Sequence, residues 1–124
     1  IFAWVQGGGP AQVVVSQSTG LNWLCLNPVD GTLMTNLTGP GRGSSFGDSQ
    51  AVIADGQWHH IGIVWDGQDR ILYVDDKEVA RDLEPSLPSL KTPLTIGAGA
   101  ELSPGSFWSG LIDDIRIYTR AREP

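Results

Sequence analysis

The chain has 124 residues, with eight Lys and Arg against fourteen Asp and Glu, for a formal net charge of −6. This acidic balance disfavours a nucleic-acid partner, because binding a polyanion draws most of its affinity from clustered basic side chains. The length suits one hydrophobic core, no apolar run is long enough to cross a bilayer as a helix, and a single cysteine, Cys25, excludes an internal disulfide.

Turn signals recur at short, even spacing: Gly7-Gly8-Gly9-Pro10, Asp30-Gly31, Gly39-Pro40-Gly41, Asp55-Gly56, Asp66-Gly67 and Asp75-Asp76. That punctuation, with no stretch of helical period, predicts an all-β sandwich or barrel. The runs between the turns predict strands over 1–5, 12–16, 21–27, 32–38, 59–65, 70–74, 77–82, 92–98 and 110–118. Asp-Gly suits two-residue hairpin turns because both central residues need positive φ, and Asp75-Asp76 departs from that preference at some cost. Cys25 lies within Leu21-Asn22-Trp23-Leu24-Cys25-Leu26 and reads as a small buried side chain.

Two segments read as loops. Pro85, Pro88 and Pro93 remove backbone donors between Leu83 and Pro93 and prevent ladder pairing there. Gly39 to Ser49 is rich in Gly and Ser, and its Arg42, Phe46 and Asp48 are candidate ligand contacts, with Phe46 alternatively an anchor onto the core.

Side chains alternate along a strand, so His59, Ile61, Ile63 and Trp65 share one face and His60, Gly62 and Val64 the other. The bulkier set is expected to meet the opposing sheet. By the same alternation Leu111, Asp113, Ile115 and Ile117 form an apolar row that Asp113 interrupts. An inward carboxylate requires donors, such as backbone amides, an indole or His59, or else a cation.

Trp58-His59-His60, then Tyr73-Val74-Asp75, then Gly110-Leu111-Ile112-Asp113-Asp114 occur in an order that resembles the laminin G-like jelly roll of the concanavalin A-like lectin superfamily. The resemblance implies an antiparallel two-sheet β-sandwich forming a single domain over residues 1–124, in an extracellular or cell-surface setting. It implies a ligand that is either a glycan or a protein. It also brings Ca²⁺ into consideration, with Asp113 as the candidate metal ligand, since calcium takes several oxygen ligands. Relatives of this kind carry a further N-terminal stretch that contributes a strand beside the last one. Without that strand the sheet edge is open, and an open edge favours self-association, most simply as a homodimer.

Catalytic signals are weak. Glu78, Glu84, Glu101 and Glu123 are dispersed, and the adjacent Asp113 and Asp114 point to opposite faces, so one strand does not supply the carboxylate pair of a glycosidase. His59 and His60 likewise diverge and do not chelate together. Turn chemistry accounts for Asp66, Asp69, Asp75 and Asp76. Among the five Trp, Trp58, Trp65 and Trp108 fit the core pattern, while Trp4 and Trp23, with Phe46 and Phe107, are the aromatic ligand candidates. The expectation is a non-catalytic binding module, with carbohydrate the leading ligand. A protein-interaction or structural accessory domain is the alternative.

Overall fold

The computed structural model describes residues 1–17, 21–37, 46–83, 93–100, 102–118 and 120–121, and at 46–48 the backbone alone. Ten strands form: β1 (Phe2–Gly7), β2 (Val13–Ser16), β3 (Leu21–Leu26), β4 (Thr32–Leu37), β5 (Phe46–Val52), β6 (His59–Trp65), β7 (Asp69–Val74), β8 (Lys77–Leu83), β9 (Thr95–Ile96) and β10 (Gly110–Arg116). They build two five-stranded sheets, ordered β10-β1-β6-β7-β8 and β5-β4-β3-β2-β9. Every pairing is antiparallel. This is the expected sandwich.

The core lies between the sheets. Ala3 and Val5 of β1, Ile61 and Ile63 of β6, and Leu72 and Val74 of β7 pack against Leu24, Leu26, Leu33 and Leu37 of the second sheet. Each of those chains follows period-two alternation, which is why β6 turns Ile61 and Ile63 inward as expected. Truncating one such buried leucine to alanine costs about 2–5 kcal/mol, from lost transfer energy and the cavity left behind. The register between β3 and β4 shifts between Asn22 and Cys25, so Leu21 and Trp23 face the core and, after the bulge, Leu24 and Leu26 do too. Cys25 therefore points away, where it is buried with Val13 and Met34.

The outer face of the first sheet carries a second apolar layer. Phe2, Val64 and Ile71 are buried there, with Tyr73 and Tyr118 packed against them. Phe2 is the register partner of Gly62, and a Cβ at Gly62 would overlap the Phe2 ring. The glycine thus lets an aromatic ring lie flat across the neighbouring strand. Arg70 is buried, and its Nε donates to Asp82 Oδ1 at 2.9 Å across the β7–β8 pair.

Three expectations change. Of the loop expected from Gly39 to Ser49, residues 39–45 lie outside the described residues and Phe46 to Ser49 belong to β5 (Phe46–Val52). Gly47, Asp48 and Ser49 have poor strand propensity, but tertiary pairing overrides it. β5 runs antiparallel to β4 with Phe46 opposite Asn36 and Val52 opposite Thr32, and buried Ser49 donates its hydroxyl to the Leu33 carbonyl at 2.6 Å. The strand expected over 92–98 contracts to Thr95–Ile96, and Pro104–Ser106 makes one 3-10 turn. The proline-rich loop expected from Leu83 to Pro93 falls largely on 84–92, outside the described residues.

The third change is the phase of β10. Phe2 pairs with Arg116 and Trp4 with Asp113, so two residues of β10, Asp114 and Ile115, oppose the single Ala3 of β1. Asp114 takes φ +49° at this bulge. Alternation breaks there, and Ile112 and Ile115 both pack on the core while Asp113 is exposed. The apolar row running through Asp113 does not form, because one extra residue reverses the facing of everything beyond it.

Candidate functional site

Strands β10, β1 and β6 lie side by side, and their register places Asp113, Trp4 and His60 in one row across the outer face. Trp4 is 40% exposed. Its ring centroid lies 5.0 Å from that of His60, with planes tilted by 35°. His60 in turn stacks on Phe2 at 5.4 Å and 14°, and Phe2 meets Tyr118 edge-on at 6.3 Å. Tyr73 lies 6.4 Å from Phe2. The result is a floor of aromatic rings on rigid strands, with Trp4 its most open member.

Polar groups border this floor. Asp113 Oδ1 accepts the backbone N–H of Asp114 at 2.8 Å, and His60 Nδ1 lies 3.5 Å from Asp76 Oδ1. Opposite Phe2, Arg116 donates through Nε to Asp114 at 3.0 Å. One row on, Gln6 faces exposed Leu111 across the β1–β10 pair, and its amide donates to the Gly56 carbonyl at 2.9 Å. Trp58, which precedes β6 by one residue and keeps the phase of His60, is 43% exposed.

At the end of β6 the His59 ring sits between two carboxylates. Nδ1 is 2.7 Å from Asp75 Oδ2 and Nε2 is 2.8 Å from Asp55 Oδ1. Asp75 Oδ1 also accepts the His60 N–H at 3.0 Å. Burial of the ring works against its charge, but the hydrogen bonds to Asp75 and Asp55 outweigh that effect, and the imidazole pKa is raised above 6.5. Asp75 is held below the usual carboxylate value of 3.8, because the bonds from His59 and the His60 amide outweigh its own desolvation. The Gln57 amide and then His59 lower Asp55 in the same way.

The residues singled out in the sequence separate as follows. Trp4 and Asp113 come together. Trp23 does not join them: it is 4% exposed in the core, its Nε1 donating to Gln17 Oε1 at 3.1 Å, because alternation along β3 puts it on the inward face with Leu21. Phe107 is exposed beyond the 3-10 turn and shares none of the ring contacts of the aromatic face. Phe46 and Asp48 lie on β5 with side chains outside the description, and Arg42 falls outside the described residues. Trp58, expected in the core, is exposed, since it precedes β6 by one residue in the phase of His60 on the outer face.

Phe2, His60, Tyr73 and Tyr118 were missed as members of a site. The alternation of Phe2 with Trp4 and of His60 with Gly62 was visible, but nothing local indicated that β1 and β6 are neighbours. Among the described residues no group of three or more His, Cys, Asp or Glu side chains could hold a metal ion. Asp55 and Asp75 occupy opposite nitrogens of His59 and do not converge. Asp113 is exposed and bonded to its neighbour's amide, and among the described residues it belongs to no group of three or more acidic, His or Cys side chains that could hold a metal ion.

Comparison with known proteins agrees with this architecture. No curated protein gives a match to the chain. The family model of the laminin G type within the concanavalin A-like lectin/glucanases superfamily matches residues 1–124. Modules of this family commonly bind carbohydrate or protein and are typically non-catalytic, while the superfamily includes glucanases. Two antiparallel five-stranded sheets together with a match across residues 1–124 place the chain in the laminin G-type family of the concanavalin A-like lectin/glucanases superfamily.

Proposed function

We propose that this chain is a non-catalytic carbohydrate-binding module and that its ligand face is the outer surface of the first sheet around Trp4. The carrying observation is the half-open indole of Trp4, braced by His60 at 5.0 Å and flanked by Asp113 in the adjacent strand. A flat aromatic ring covers the apolar C–H face of a pyranose with little loss of side-chain freedom. A carboxylate beside it accepts hydrogen bonds from sugar hydroxyls. Both groups stand on paired strands, so the geometry exists before the ligand arrives. An extracellular or cell-surface setting accords with this reading.

A glycan array probed with the wild-type protein and with Trp4→Ala tests it. The expected result is a set of hits that disappear in the variant. Hits that persist unchanged would move the ligand face elsewhere, and no hits at all would contradict the carbohydrate reading.

A second reading, a protein partner, draws on the edge strand β10. β10 pairs with β1 on one side, and it presents exposed Leu111 there. The bulge at Asp114 and the charges of Asp113, Asp114 and Arg116 interrupt its second half, which limits an added strand to residues 110–113. A second copy of the chain is the simplest occupant. Light scattering at high concentration that gives twice the mass of one chain would favour this reading, and the mass of a single chain would remove the homodimer.

A further inference from the structure

His59 is placed unlike an ordinary surface histidine. A neutral imidazole has one donor and one acceptor nitrogen, whereas both nitrogens here face carboxylate oxygens, at 2.7 and 2.8 Å. Only the doubly protonated ring donates to both. The His59 side chain is 13% exposed, while the carboxylates of Asp55 and Asp75 that face it remain open to water. The partners belong to different elements: Asp55 to the loop before β6 and Asp75 to the β7–β8 turn.

We propose that the His59 imidazolium is a proton-operated clamp that locks the loop at residues 54–57 to the β7–β8 turn and releases it when the ring loses a proton. After that loss one carboxylate faces a nitrogen lone pair. Asp75 keeps a donor in the His60 amide, so it remains in place. Asp55 is the end that lets go, since its other bond, from the Gln57 N–H, lies within the same loop. Among the described residues the remaining side-chain tie of the loop is Gln6, which donates to Gly56 from β1.

The groups facing His59 are few. Asp55 comes from the loop and Asp75 from the turn. His60 with Asp76 forms a separate pair on the outer face, and the β1 register partner of His59 is the apolar Val5. Both carboxyls have lowered pKa values, so they remain ionised across the range in which the imidazole titrates, and the ring alone changes charge.

Resting on the carbohydrate reading above, the clamp also regulates the ligand face. The loop leads into Trp58 and is held by Gln6, two residues along β1 from Trp4. Opening it loosens that end of the aromatic floor and weakens binding as pH rises.

The test needs no saccharide. In ¹⁵N-labelled protein, the His59 ring resonances and the backbone order parameters of residues 54–58 are followed from pH 5 to pH 9. The expected result is a ring midpoint above 6.5, with loop order parameters falling through the same midpoint from the rigid range near about 0.85 to below about 0.6. Asp55→Asn, which leaves the ring one carboxylate, is expected to lower the midpoint and to leave the loop mobile already at pH 6. His59→Gln is expected to abolish the pH response. A ring midpoint at or below 6.5, or loop order that does not follow it, overturns the clamp. Failure of the glycan array would overturn the sugar reading and leave these outcomes unaffected.

Discussion

Trp4 on β1 and His60 on β6 are register partners whose rings lie 5.0 Å apart, and through His60 the exposed indole is joined to the buried Phe2 layer beneath it. Aromatic pairs at this separation contribute about 0.5–1.5 kcal/mol beyond area burial. The arrangement keeps a large apolar ring at the surface in a fixed orientation. Trp4 is thereby held in place by packing while its remaining surface stays open.

That division predicts opposite phenotypes for two tryptophans. Trp4→Ala removes the open ring and is expected to abolish saccharide binding while lowering stability by about 1 kcal/mol, the value of the lost ring pair. Trp23→Ala empties a core position and breaks the bond to Gln17, at a cost of about 3–5 kcal/mol. Denaturant melts and binding titrations of both variants check the contrast. Equal destabilisation would contradict the placement of the two rings.

Gly62 is the position where the outer layer tolerates no added atom. In Gly62→Val the new side chain meets the Phe2 ring, which must lift from Val64 and Ile71. Overpacking of this kind costs about 1–3 kcal/mol. The midpoint of urea unfolding should fall, and an unchanged midpoint would show that Phe2 does not lie across the glycine.

Stability is expected to depend on pH on two sides. The folded pKa of His59 is raised above 6.5, so its contribution is complete below the unfolded value and is lost as pH rises through the folded one. Asp75 and Asp55 are lowered from 3.8, so theirs is complete above that value and is lost as pH falls through the folded ones. Thermal melts from pH 3 to pH 9 should show a maximum between these limits. His59→Gln should flatten the alkaline side, and an unaltered alkaline slope in that variant would assign the loss to another group.

The β7–β8 turn offers a test of strain. Asp75 and Asp76 adopt φ of +52° and +68°, the conformation that favours Asn-Gly or Asp-Gly. Among the described residues Asp76 makes only the 3.5 Å approach to His60, so Asp76→Gly is expected to stabilise the fold by roughly 0.5–1 kcal/mol, relieving left-handed backbone at a residue with a Cβ. Asp75→Gly removes the acceptor of His59 and of the His60 amide, and the fold should lose stability. Calorimetry of the two variants checks the opposite signs.

The sandwich was legible because apolar alternation and Asp-Gly turns are local signals. Nine of the ten strands followed from them, one of them shortened, and Ile61 and Ile63 faced inward as the period of two requires. β5 was hidden because Gly47, Asp48 and Ser49 become a strand only by pairing with β4. The bulge at Asp114 was equally invisible, since Asp113-Asp114 lies inside an apolar strand pattern with no glycine or turn spacing to mark a left-handed residue, and it moved Asp113 from a supposed core row to the surface. Trp4 was recognised as a ligand candidate. His60 was not, and the nearness of Trp4 to Asp113, singled out separately as a metal candidate, was not visible either, because both reach Trp4 only through a sheet order that joins distant parts of the chain.

The most direct test follows the indole N–H resonances of the five Trp as array-positive saccharides, or a panel of common oligosaccharides, are titrated into ¹⁵N-labelled protein. The account predicts that Trp4 and the adjacent His60 backbone shift in a saturable way while buried Trp23 stays unmoved. Shifts confined to β10, or to residues remote from Trp4, would contradict it.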